Sequence, residues 1–160
     1  MTEPVLRQAL RQSVDEVLDK MFFVCPLGEA GPDPEDAAPA IAARLTFEGE
    51  PSGSMTLRLT WQAAHSIAAD FLGEDEEGLT EQRTGEVVRE MANMICGSVL
   101  SRVESATAFH LAEPRILTIK EDAEDNRGAV VFAVDIPNGR LTLLMKTERP
   151  ECPEIAESVS

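Results

Sequence analysis

Residues 80–105 read TEQRTGEVVREMANMICGSVLSRVES. Thr80 is placed as an N-cap, with Arg83 rather than Glu at the third helical position, so the capping box is incomplete. On a helical wheel of about 100° per residue, Val88, Met91, Ala92, Ile95, Val99 and Val103 gather on one side, which makes that side a core face. Glu86, Glu90, Asn93, Gly97, Ser101 and Glu104 gather around the opposite direction. The helix therefore aims Asn93 outward, and it is not a buried core amide. Asn and Gly are poor helix formers, with Gly costing ~1 kcal/mol against Ala, yet both sit one turn apart on the exposed stripe. Gly97 also lets another chain approach closely. On pattern alone, a plain solvated surface accounts for the stripe as well.

Working outward from this helix, Arg115–Lys120 and Ala129–Asp135 read as strands on either side of the acidic loop Glu121–Arg127. Pro137-Asn138-Gly139 is a strong turn signal, and Arg140–Thr147 closes a terminal hairpin. Upstream, residues 62–71 form a short helix with Ala63, Ile67, Ala68 and Phe71 on one side, ended by an acidic run from Gly73 to Gly78. Ser54–Thr60 alternates cleanly and Ala40–Glu48 alternates in part, so the turn from Gly49 to Gly53 joins two strands. Residues 26–38 are a proline- and acid-rich loop. Residues 4–23 are helical: Pro4 suits a first turn, and Val5, Leu6, Ala9, Leu10, Val14, Val17, Leu18 and Met21 recur at helical spacing. Met21-Phe22-Phe23, at its end, is assigned to the core. This order predicts an α+β fold, a single domain over residues 1–150 with a largely antiparallel sheet packed with two long helices. Residues 151–160 are a polar tail.

The 160 residues suit one domain, and 29 acidic against 14 basic side chains give a net charge of −15. That balance argues against nucleic acid and anionic membrane surfaces, both of which need a basic footprint. No apolar run approaches the ~18 residues of a membrane helix, and the N-terminus lacks a signal-peptide plan, so a cytoplasmic location is expected. Cys25, Cys96 and Cys152 are far apart, as are His65 and His110, so neither a disulfide framework, a zinc site nor a His-based triad is expected. No glycine-rich phosphate loop is present. What remains is chemistry done with carboxylates and amides.

The run Glu86-Val-Val-Arg-Glu90-Met-Ala-Asn93-Met-Ile-Cys-Gly97, followed by Pro114, resembles the signature of the CheC/CheX/FliY family of chemotaxis phosphatases, nearest its CheX branch. The family pattern is an acid or Ser, then three residues, then E-x-x-N, then a Pro further on. The predicted element order from residue 5 to 147 follows the CheX plan, including the Gly53-x-Met-x-Leu strand leading into an Ala-rich short helix. Glu86 stands where the family usually has Asp or Ser. The interval from Asn93 to Pro114 is slightly short, in a loop where length changes are tolerated. The family is built on an internal pseudo-repeat, and Glu16-Val-Leu-Asp-Lys-Met21 resembles Glu86-Val-Val-Arg-Glu-Met91. In that register Lys20 replaces Glu90 and Phe23 replaces Asn93. In a shifted register Glu16 matches Glu90, but Asp19 then matches Asn93 and would repel a phosphoryl group. Either way the first helix lacks a working site.

The resemblance implies hydrolysis of the aspartyl phosphate of a CheY-like response regulator receiver. Asn93 is then the catalytic amide that orients a water, and Glu90 is its catalytic partner, pairing with a lysine of the receiver. Glu86 and Gly97 contact that partner. The chain itself binds no cofactor or metal, the magnesium being expected in the receiver. A homodimer joined through the sheets is expected on the same ground, and alternating strands could present an edge for it. A non-catalytic receiver-binding scaffold is the alternative, and a flagellar-switch component fits less well.

Overall fold

In the computed structural model, which describes residues 2–31, 39–103, 108–122 and 128–148, the chain twice follows a long helix with an antiparallel hairpin. The first unit is α1 (Glu3–Met21), a short β1 (Gly28–Glu29), β2 (Ala40–Glu48) and β3 (Ser52–Thr60). α2 (Trp61–Leu72) and a 3-10 turn at Glu76–Gly78 lead into the second unit. That unit is α3 (Glu81–Val103), β4 (His110–Leu111), β5 (Arg115–Ile116), α4 (Ile119–Asp122), β6 (Val130–Ile136) and β7 (Gly139–Glu148). All strand pairs are antiparallel, in the order β1-β6-β7-β3-β2-β4, with β5 also on β2. The order is symmetric about the central β3–β7 pair, and the segment after each long helix borders the other unit's hairpin. The internal repeat is thus built into the sheet, and the fold is α+β as expected.

The core lies between the helices and one face of this sheet. Pro4 sits in the first turn of α1, Thr2 caps it, and Leu6, Ala9, Leu10, Val14, Val17 and Leu18 are buried at helical spacing. α3 buries Val88, Met91, Ala92, Ile95 and Val99, the face read from the wheel, with Val103 packed at its margin. From the strands come Leu45, Phe47, Met55, Leu57, Leu59, Leu141 and Leu143, alternating as a pleated sheet requires. At Gly53 the hairpin passes so close to β7 that an added Cβ would run into the Lys146 carbonyl oxygen, so only glycine fits. Alanine at Ile95, fully buried in α3, should cost roughly 2–5 kcal/mol by the usual price of a core cavity.

Both borders of the sheet are occupied by the chain itself. On β2, besides β4 and β5, Ala112 N–H donates to Thr46 and Leu117 N–H to Ala42, each at 2.9 Å. On β6, Leu27 and Ala30 N–H donate to Asp135 and Ala133 at 2.8 Å, and the Arg7 guanidinium takes the Val131 carbonyl at 2.9 Å. The alternating strands therefore present no long open edge among the described residues, unlike the expectation from sequence.

Two local readings are corrected. The strand expected over Arg115–Lys120 stops at Ile116. Thr118 and Glu121 form a reciprocal capping box instead: Glu121 N–H donates to Thr118 Oγ1 at 3.1 Å and Thr118 N–H to Glu121 Oε1 at 2.8 Å, which starts α4. Of Met21-Phe22-Phe23, only Phe22 joins the core, at 1% exposure, while Phe23 is 85% exposed. Phe23 takes a left-handed φ of 58°, and Val24 N–H reaches back to the Leu18 carbonyl at 2.9 Å, a turn that swings Phe23 outward. Much of the loop read over residues 26–38, and the tail 151–160, lie outside the described residues.

Candidate active site

Thr80 is the N-cap of α3, as read: its Oγ1 accepts from Arg83 N–H at 3.1 Å. The Thr84 hydroxyl bonds back to the Thr80 carbonyl at 3.1 Å, and His65 of α2 contacts Thr84 Oγ1 at 3.2 Å and the Glu76 carbonyl at 2.9 Å. Arg83 also pairs with Glu74. The start of α3 is therefore fixed to α2 and its following turn. From that anchor the helix rises with Glu86, Glu90 and Asn93 exposed on the side opposite the core. Gly97 is half-buried one turn beyond Asn93, with open space where a Cβ would stand.

Glu86, Arg89, Glu90 and Asn93 form one wall of an open groove. Leu111, Ala112, Glu113 and Pro114, the segment joining β4 to β5, form the other. The two walls are tied: Arg89 Nε–H donates to the Pro114 carbonyl at 3.0 Å. The structure thus brings together Glu86, Glu90, Asn93 and Pro114, which the motif links only by sequence. Gly97 lies outside the groove lining, on the same stripe. Sequence reading missed Arg89 and the 111–113 wall. Its one usable signal was that Arg89 stands immediately before Glu90 between the two faces of the helix. Next to the groove, and sharing Glu86 and Arg89, is a second cleft lined by Ile41, Trp61, Glu81, Gln82, Gly85 and Ile116.

The chemistry available in the groove is that of a carboxamide between carboxylates. An exposed Asn offers both a carbonyl acceptor and two N–H donors. Three carboxylates (Glu86, Glu90 and Glu113) line the groove, and Arg89 is the one cation among its lining residues. Cys96, although on the same helix, is fully buried on the core side, and burial pushes its thiol up to about 12. It is no nucleophile near neutral pH. Among the described residues no group of three or more His, Cys, Asp or Glu could hold a metal ion.

The corresponding stretch of α1 is committed to the fold. Glu16 is bonded to Lys20 at 3.2 Å and also to Arg102 of α3, and its carboxyl is held below the usual range, first by the Lys20 hydrogen bond and then by the two cations. At the position matching Asn93, the exposed Phe23 has no polar atom to offer.

The sequence model of the family described as chemotaxis phosphatase CheX matches residues 41–137, more than half of the chain. No curated protein matches it. The chemotaxis protein CheX from Vibrio vulnificus is similar in structure with a TM-score of 0.75 at 20% identity, covering 92% of this chain and 99% of that one. A structure of the CheX–CheY–BeF3–Mg2+ complex from Borrelia burgdorferi gives a TM-score of 0.71 at 15% identity, over 89% of this chain and 97% of that one. Thermotoga maritima FliY is more distant, at 0.55 and 13% identity, over 91% and 89% of the two chains. No helix among the described residues is long and apolar enough to cross a membrane. With the family model matched over more than half of its residues and solved CheX structures sharing its fold, the chain belongs to the CheX family of chemotaxis phosphatases.

Proposed function

We propose that α3 presents Asn93 and Glu90 to the active site of a phosphorylated CheY-like receiver, and that the chain hydrolyses its aspartyl phosphate. The observation that carries this reading is the pairing of Glu90 and Asn93, exposed one turn apart beside an open groove, on a helix whose other face is the core. Both side chains are exposed and line that groove. The Borrelia burgdorferi structure, in which a CheX is bound to CheY with BeF3 and Mg2+, supports a receiver as the partner.

An aspartyl phosphate is an acyl phosphate and already reactive, so the phosphatase needs to add positioning and electrostatics rather than a nucleophile of its own. The Asn93 carbonyl accepts a hydrogen bond from a water held in line with phosphorus, and its N–H groups donate to that water or to a phosphoryl oxygen. Water attacks phosphorus, the bond from phosphorus to the aspartyl oxygen breaks, and inorganic phosphate and the free carboxylate leave. Glu90 pairs with the receiver's lysine, which docks the helix and sets the distance of the amide. The receiver supplies the magnesium, which neutralises phosphoryl charge. With a net charge of −15, the chain gains little long-range attraction to an acidic partner, so binding rests on these local contacts. Phosphate release from CheY charged with acetyl phosphate and magnesium, with and without the chain, tests the reading. No acceleration at a stoichiometric amount of chain contradicts it.

A further inference from the structure

Resting on that reading, we propose that Arg89 is a positioning residue: it holds residues 112–114 as the second wall of the groove, against which the receiver docks beside Asn93. The segment from β4 to β5 lies on β2 at its two ends, where Leu111 pairs with Phe47 and Arg115 with Arg44. Between them Ala112 N–H still reaches Thr46, but Pro114 has no N–H to give, and its carbonyl turns to α3. There it accepts from Arg89 Nε–H at 3.0 Å, across 25 residues of sequence. Arg89 is half-buried and, with Glu86, borders both the groove and the neighbouring Trp61 cleft. An arginine suits this post, because its stem packs along the surface while the rigid guanidinium keeps its charge and its donor direction.

The position of Asn93 is set by the backbone of α3 and not by Arg89. Removing Arg89 therefore loosens the wall that a partner meets, while the amide keeps its aim. That separates the proposal from a direct action on the phosphoryl group, which would appear in turnover.

The test uses the full chain with Arg89→Gln and Arg89→Lys. Amide exchange is read in the chain alone at Ala112 and Leu117, and KM and kcat are read with CheY charged by acetyl phosphate and magnesium. In Arg89→Gln, exchange at both amides should speed up by about tenfold and KM should rise by about tenfold, with kcat within about twofold of wild type. In Arg89→Lys, both readouts should fall between the other two proteins and move together. Protection of the buried α3 amides reports whether each variant is folded, and Arg89→Lys carries the test alone if Arg89→Gln is not. Unchanged exchange, unchanged KM, or a loss confined to kcat overturns the proposal. Wild-type protein without turnover overturns the phosphatase reading and this inference with it, whereas an active wild type matched by Arg89→Gln overturns the inference alone.

Discussion

Arg102 on α3 donates its Nε–H to the Oγ of Ser13 on α1 at 3.2 Å, and Ser13 is fully buried there. The same guanidinium pairs with Glu16, so the acid that the repeat places opposite Glu86 serves the helix–helix joint. Arg102→Ala should lower stability by about 1 kcal/mol, mostly through the hydrogen bond to the buried hydroxyl, since the partly exposed ion pair is screened by solvent. Phosphatase turnover should be unchanged. Denaturant unfolding and phosphate release on one preparation check both, and turnover lost at unaltered stability would contradict this division of labour.

Glu16 and Glu90 are predicted to differ for the same reason. Glu16→Ala should reduce dephosphorylation by less than about tenfold, which is ~1.4 kcal/mol of transition-state stabilisation. Glu90→Ala should weaken receiver binding as well as turnover, because it removes one partner of an intermolecular ion pair. Binding to beryllofluoride-activated CheY, followed by calorimetry, separates them. Equal affinities for wild type and Glu90→Ala would remove Glu90 from the interface.

Much of this was legible from local pattern. The two faces of α3 follow from helical spacing alone, and the hairpins follow from alternation with turn residues between. Where reading failed, a specific bond outweighed the pattern. Thr118 and Glu121 cap each other, which ends a segment that reads as a strand from its sequence. Phe23 leaves the core because its own left-handed backbone after α1 turns its side chain outward. The far wall of the groove was illegible for a different reason. A bond between Arg89 and Pro114 is fixed by how α3 docks on the sheet, and no local period carries that information.

Gly97 stands where a Cβ meets nothing within 4 Å. Gly97→Ala should therefore stabilise the protein, by up to ~1 kcal/mol, because Ala is the better helix former and clashes with no neighbour. Gly97→Trp should fold equally well yet raise the KM for phosphorylated CheY, since bulk on the docking stripe blocks close approach. Thermal unfolding and steady-state kinetics check the pair. A Gly97→Trp protein with wild-type KM would take Gly97 out of the contact surface.

Glu121 gives the pH dependence. Its carboxyl is lowered to about 2, first by the hydrogen bond from Arg115 and then by that from the Thr118 backbone. A depressed carboxylate pKa contributes stability that is present above its unfolded value of about 4.5 and is lost as pH falls through about 2. The Thr118–Glu121 box should hold at pH 5 and open in that acid window. A titration of the Glu121 side-chain resonance with a midpoint near 2 is expected, and a midpoint above about 4 would contradict the bond pattern.

The two described cysteines should react unequally. Cys25 is exposed, whereas Cys96 is buried with its thiol pushed up to about 12. In a Cys152→Ser background, a thiol reagent at pH 8 should label Cys25 rapidly and reach Cys96 only after unfolding. Fast labelling of Cys96 in the folded protein would show that α3 is not packed as described.

The central claim rests on Asn93, which is exposed on α3 opposite the fully buried Ile95 and Val99. Asn93→Ala should leave the core untouched and can stabilise the helix by a few tenths of a kcal/mol, about the propensity difference. The deciding measurement is dephosphorylation of CheY by wild type and Asn93→Ala, with binding and thermal stability read on the same preparations. If the amide orients the attacking water, Asn93→Ala binds and folds as wild type does but loses most of its turnover, as expected when an interaction made only in the transition state is removed. Equal turnover in the two proteins would contradict a phosphatase site at Asn93.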